Sequence, residues 1–152
     1  MIWVGIDTGV NTGIAVWDSD KRELLSLDTV TIDEALFRVL GLVAEYQDIR
    51  VVVEDARLRR WVPDTHDVRK EMARRLGAGS VKRDAKIWED FLERMKIPFQ
   101  MVAPLRGATK WARDSFAAVT GYTGRTTEHS RDAAMLVFGR SNAALARNPT
   151  GL

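Results

Sequence analysis

Three stretches near the N-terminus are apolar over the length of a β-strand: Ile2 to Asp7, Gly13 to Trp17 and Leu24 to Thr31. Gly9, Asn11 and Gly13 punctuate the first junction, and Ser19, Asp20 and Lys21 the second, all residues that favour turns. Connections this short predict an antiparallel meander. Asp33 then reads as the N-cap of a helix running to about Gln47, because Leu36, Val39, Leu40 and Val43 recur at i, i+3, i+4 and i+7 and line one face. Ile49 to Glu54 follows, and IRVVVE is the continuous β-branched run of a strand covered on both faces.

From Asp55 to Asp64 the chain reads DARLRRWVPD, a basic segment with an aromatic and a proline that predicts an exposed loop. Thr65 to Lys96 predicts helix with a break at Gly77, Ala78 and Gly79, after which Trp88, Phe91, Leu92 and Met95 form an apolar stripe. Ile97 to Val102 predicts a short strand, Thr109 to Val119 a helix, Thr120 to Thr126 a loop, and Thr127 to about Ala146 a last helix. The order β-β-β-α-β-α-β-α-α predicts an α/β fold. Its sheet has five strands, antiparallel among the first three and parallel across the later crossovers, with helices on both faces.

Composition narrows the choices. A chain of 152 residues, 45% hydrophobic and 29% charged, is expected to form a single domain over residues 1–152. No apolar run approaches the roughly 20 residues that span a bilayer. The chain opens on a strand rather than on a basic leader, so a cytoplasmic protein is expected. The absence of cysteine removes disulfides and thiolate ligands. Any metal must then sit on carboxylates, imidazoles or carbonyls, which favours Mg²⁺ or Mn²⁺ over structural zinc. A net charge of +2 argues only weakly for a polyanionic partner, so the placement of the basic residues matters more.

In the predicted layout Asp7 ends the first strand and Glu54 the fourth; as neighbours, the two carboxylates meet at one edge of the sheet. In TTEHSRDAAMLVFG, His129 and Asp132 stand at i and i+3, which puts them on one helical face able to turn toward that edge. Carboxylates brought so close repel and raise one another's pKa unless positive charge lies between them. Two divalent cations about 4 Å apart would supply that charge and can activate water beside a phosphodiester. Each residue also has a plainer reading: an Asp before a glycine turn bonds its own backbone, and His129 and Asp132 suit a solvated helix start. Glu54, closing a run of valines, is the hardest to explain without function.

Taken in order, GIDTGVNTGIAV, VVVED, the late KWAR segment and the HSRDAA helix resemble the RuvC-type Holliday junction resolvases of the ribonuclease H superfamily, over nearly the whole chain. The resemblance implies a ribonuclease H-like fold and a homodimer. It also implies an endonuclease that nicks four-way DNA junctions with divalent metal, two ions per active site, leaving 5′-phosphate and 3′-hydroxyl ends. Matched by motif, Asp7, Glu54, His129 and Asp132 would be the metal-binding catalytic set. Lys110 would contact the scissile phosphate and stabilise transition-state charge. The chain departs from the family in three places. Thr8 stands where many members have proline. His129 replaces a common aspartate, which lowers the negative charge and favours Mn²⁺. Arg57 stands where an aromatic commonly wedges into the junction, a part that Trp61 is expected to take over by stacking on unpaired bases.

DNA binding is expected of Arg57, Arg59, Arg60, Arg69, Arg74 and Arg75, of Lys82 and Arg83 further along, and of Arg106 and Arg113 near the site. Each cation that reaches a phosphate adds a salt-dependent, sequence-independent contribution. The plainer reading of the first group is a solvated helix face balanced by Asp64, Asp67 and Glu71. In the family the helix from Thr65 to Gly77 and its neighbour form the dimer contact, placing two sites about a two-fold axis.

Four rivals share parts of the pattern. An aspartic protease matches Asp-Thr-Gly and the LVFG segment, but requires a nearly all-β chain. A sugar-kinase or actin-like ATPase shares the first hairpin, yet needs a second domain to close over nucleotide. A YqgF-type RNA-processing nuclease has the same fold, and a non-catalytic junction-binding module would make no use of Asp7.

Overall fold

All six residues of β1 (Ile2–Asp7) are buried, because this strand lies in the interior of the sheet with helices over both faces. The computed structural model describes residues 1–59, 67–104 and 110–142, without the side chains of residues 74, 75 and 78. β2 (Thr12–Asp18) lies antiparallel to β1 and β3 (Glu23–Val30) antiparallel to β2, with a register shift between Val16 and Trp17. On the other side β4 (Ile49–Glu54) runs parallel to β1, and β5 (Phe99–Val102) parallel to β4. The order β3-β2-β1-β4-β5 is the mixed five-stranded sheet that the sequence predicts.

Alternation along each strand sorts the side chains between the two faces. Ile2, Val4, Ile6, Val51 and Val53 meet Ala35 and Val39 of α1 (Ile32–Glu45) together with Trp88 and Leu92 of α2 (Val68–Arg94). Trp3, Ala15, Trp17 and Val52 meet Phe116 of α3 (Arg113–Thr120) and Ala133, Ala134 and Val137 of α4 (Glu128–Val137). With both faces covered, β4 has no polar alternation, hence its unbroken VVV.

Two glycines bring α4 unusually close to the sheet. A Cβ at Gly5 would lie 2.1 Å from the Ala133 carbonyl oxygen, and one at Gly13 would lie 2.0 Å from that of His129. Any larger residue at either position would lift the helix.

Several expectations need correction. Thr31, not Asp33, precedes α1; Asp33 sits in the first turn, where its charge still favours the helix N-terminus. Val43, assigned to the buried face, is 37% exposed, and α1 stops at Glu45 rather than Gln47. α2 shows no break at Gly77 to Gly79: the surroundings of Gly77 and Gly79 are open, so nothing competes with the helix's own hydrogen bonds. α3 begins at Arg113, leaving Lys110 in the extended segment before it. α4 ends at Val137 instead of Ala146, where Phe138 turns to pack edge-on against Trp17, with ring centroids 5.1 Å apart, and Gly139 follows at φ 77°. Among the described residues no helix is long and apolar enough to cross a membrane.

Candidate active site

Gly5 pairs with Val52 across β1 and β4, so Asp7 and Glu54, two residues further along each strand, leave the sheet on the same face. Both stand at the carboxyl ends of parallel neighbours, under α4. The Thr8 hydroxyl donates to the Glu54 carbonyl oxygen at 3.1 Å, joining the two ends. Thr8 is thus more than a neutral replacement for proline, a role that no feature of the sequence signals.

α4 supplies the rest. Thr127 accepts from the Ser130 N–H at 3.1 Å, and Ser130 Oγ accepts from the Thr127 N–H at 2.9 Å, a reciprocal cap that fixes the first turn. The same turn carries His129 and Asp132 toward the strand ends. His129 Nδ1 lies 2.9 Å from Asp7 Oδ2. With Nδ1–H donating to the carboxylate, Nε2 is left free to accept a proton or a metal.

The centre is electronegative. Burial pushes the Glu54 carboxyl up to about 7, with further increases from Asp7 and Asp132 and a smaller opposing effect from Arg59. Burial also raises Asp7, against the hydrogen bond and charge of His129, and raises Asp132, to which the Glu128 charge adds. Lys110 is exposed and paired with Glu128, and the charges of Asp132 and Asp7 also act on it. The segment holding Lys110 is tied to α4 by Arg131, whose Nε donates to the Trp111 carbonyl at 2.7 Å.

The donor types fit a hard divalent cation: three carboxylates, each raised above its usual pKa, with an imidazole beside them. Among the described residues, however, no three such side chains already surround one ion position. Asp7 faces His129, so the set would close only as a cation draws it together.

The raised Glu54 carboxyl has a consequence for stability. Its folded pKa of about 7 lies above the ordinary 4.5, so the folded state holds the proton more tightly, and stability falls as pH rises through that window. The upper limit of the loss is about 3 kcal/mol, reduced because water reaches this half-buried side chain. Glu54→Gln is expected to raise the melting temperature of the metal-free protein by several degrees at about pH 8 and by little at about pH 5. Thermal unfolding of both proteins at the two pH values checks this.

The proposed DNA contacts separate into groups. Arg57 is committed within the chain: its Nε and Nη2 donate to Asp55 at 2.9 and 2.7 Å, and its Nη1 donates to Glu89 of α2 at 2.9 Å. Burial opposes ionisation of Asp55, but the bonds from Arg57 outweigh it and hold the carboxyl below its usual range. Arg57 therefore braces the turn after β4 against α2. Arg59 is exposed beside Glu54, Arg69 lies in the first turn of α2, Lys82 and Arg83 are exposed further along it, and Arg113 opens α3. Arg60, Trp61 and Arg106 lie outside the described residues, as do the side chains of Arg74 and Arg75.

No protein-family model matches the chain, and no curated protein matches it. Solved structures do. Thermus thermophilus RuvC in complex with a Holliday junction substrate is 16% identical, with a TM-score of 0.54 and 91% of each chain covered. A second Thermus thermophilus RuvC structure, also 16% identical, gives a TM-score of 0.53 over 91% of this chain and 92% of that one. The chain has a RuvC-type, ribonuclease H-like α/β fold.

Proposed function

We propose that the protein is a divalent-metal-dependent DNA endonuclease that hydrolyses four-way or otherwise branched junctions. The observation carrying this reading is the convergence of Asp7, Glu54 and Asp132 at one strand-end edge, with His129 hydrogen-bonded to Asp7 and Lys110 at the rim. That one similar structure holds a Holliday junction substrate supports branched DNA as the substrate class. A cytoplasmic setting is part of the proposal.

Asp7, Glu54, Asp132 and His129 Nε2 would hold Mg²⁺ or Mn²⁺, two ions per site. When bound, such ions supply an activated water and neutralise charge on the leaving oxygen. Glu54 must give up its proton to ligate, so acid and metal compete for it. His129 Nδ1–H orients Asp7. Lys110, once released from Glu128, would bind a non-bridging oxygen of the scissile phosphate where charge develops. Arg59 and Arg113 would hold flanking phosphates. Incubating the protein with an immobile four-way DNA junction in Mg²⁺, Mn²⁺ or EDTA tests this: paired nicks are expected in either metal and none in EDTA, whereas cutting that persists in EDTA contradicts the metal role.

Two paired cuts require two sites, and α2 offers a surface for a homodimer. Val68, Met72 and Leu76 recur at i, i+4 and i+8 and are 80%, 66% and 76% exposed. A stripe of large apolar side chains so open to water suits a second copy of the chain. Leu76→Glu is expected to convert a dimeric mass to a monomeric one by light scattering with the melting transition retained; an unchanged mass argues against this interface.

A further inference from the structure

The loop joining α3 to α4 is held at several points. Gly121 closes α3 at φ 73°, its N–H bonded to the Ala117 carbonyl at 2.8 Å. The Tyr122 N–H donates to Thr120 Oγ1 at 3.2 Å, and its ring crosses the loop so closely that a Cβ at Gly124 would lie 2.7 Å from the phenol oxygen. Arg131 Nη1 donates to Thr126 Oγ1 at 2.9 Å, and the Thr127 hydroxyl is hydrogen-bonded to that of Thr29 on β3. Between these fixed points Arg125 is exposed, and among the described residues its guanidinium makes no hydrogen bond or ion pair.

Arg125 borders a cleft of about 440 Å³ whose lining includes Thr29, Tyr122, Thr126 and Thr127. Asp28, an acid in the same lining, is engaged by Arg38 Nη1 at 2.7 Å, and the charge of Arg125 also acts on it. The cleft is also in register with the carboxylates: Asp7 pairs with Gly13, and Gly13 with Thr29. Paired residues share a face, and two strand spacings amount to roughly 10 Å. A nucleic-acid strand rises about 3.4 Å per nucleotide, so about three nucleotides cover that distance.

We propose that this cleft is a phosphodiester subsite in which Arg125, with the hydroxyls of Thr29 and Thr126, binds the backbone of the cleaved strand within about three nucleotides of the scissile phosphate. The inference rests on the endonuclease reading above and adds to it a seat for the flanking strand. A guanidinium beside hydroxyls suits phosphate oxygens. Because the loop is fixed beforehand, little ordering is needed when the strand arrives.

Fluorescence anisotropy with a labelled immobile four-way DNA junction, in EDTA and across a KCl series, tests the subsite using the native protein, Arg125→Ala and Arg125→Lys. Arg125→Ala is expected to bind about tenfold more weakly, with the slope of log affinity against log salt reduced by about one. Arg125→Lys is expected to keep the native slope and recover only part of the affinity, because the charge remains and the planar fork does not. Native affinity and slope in Arg125→Ala would overturn the subsite and leave the endonuclease reading standing. A native protein that fails to bind the junction would overturn both.

Discussion

Asp7→Asn is expected to lower single-turnover cleavage of a four-way junction by at least about a thousandfold, corresponding to about 4 kcal/mol of lost transition-state stabilisation. The substitution keeps the shape of the side chain and removes the charge on which metal binding depends. The amide still offers an oxygen to His129 Nδ1, so the hydrogen bond now at 2.9 Å has a replacement acceptor. Folding should not suffer, because a buried carboxyl whose ionisation is already opposed gives way to a neutral group. Lost activity in a protein of equal or higher melting temperature is therefore the expected pair of results. Cleavage within about tenfold of native would remove Asp7 from the chemistry.

Gly13→Ala should damage the fold and the site together. The added methyl would lie 2.0 Å from the His129 carbonyl oxygen and 2.5 Å from its carbon, both backbone atoms that no rotamer change can move aside. α4 must shift, and His129 and Asp132 shift with it. A cost of at least about 3 kcal/mol is expected, or a fall of about 6 to 12 °C in melting temperature. Gly41→Ala serves as control: this glycine lies in α1 with nothing within 4 Å of the Cβ position, so alanine should stabilise slightly. A native-like melting temperature in Gly13→Ala would contradict the close contact between α4 and the sheet.

The sequence carried local and periodic features well. The carboxylates Asp7 and Glu54 were recognisable because each closes an apolar run, and His129 and Asp132 because their spacing defines one helical face. The mixed sheet, antiparallel and then parallel, followed from connection lengths, and the RuvC-type likeness from motifs taken in order. Non-local contacts were less legible. Arg57 reads as a free cation until Asp55 and Glu89, the latter on another helix, are brought beside it. Gly77 and Gly79 read as a break because propensity takes no account of an open surrounding that leaves the helix undisturbed. The pairing of Lys110 with Glu128 joins two segments far apart in the chain and has no local signature. Gly5 and Gly13 did leave a trace: each shares the face of Asp7, and glycine inside a strand marks a close backbone approach.

The most direct test of the central claim is a single-turnover comparison, in Mg²⁺, of an immobile four-way DNA junction, a linear DNA duplex of the same sequence and an RNA stem. Paired nicks are expected in the junction at a rate at least about tenfold above that of the duplex, a difference of about 1.4 kcal/mol in barrier, with the RNA left intact. Equal cutting of junction and duplex would contradict junction selectivity, and cutting confined to RNA would show that this centre serves RNA processing instead.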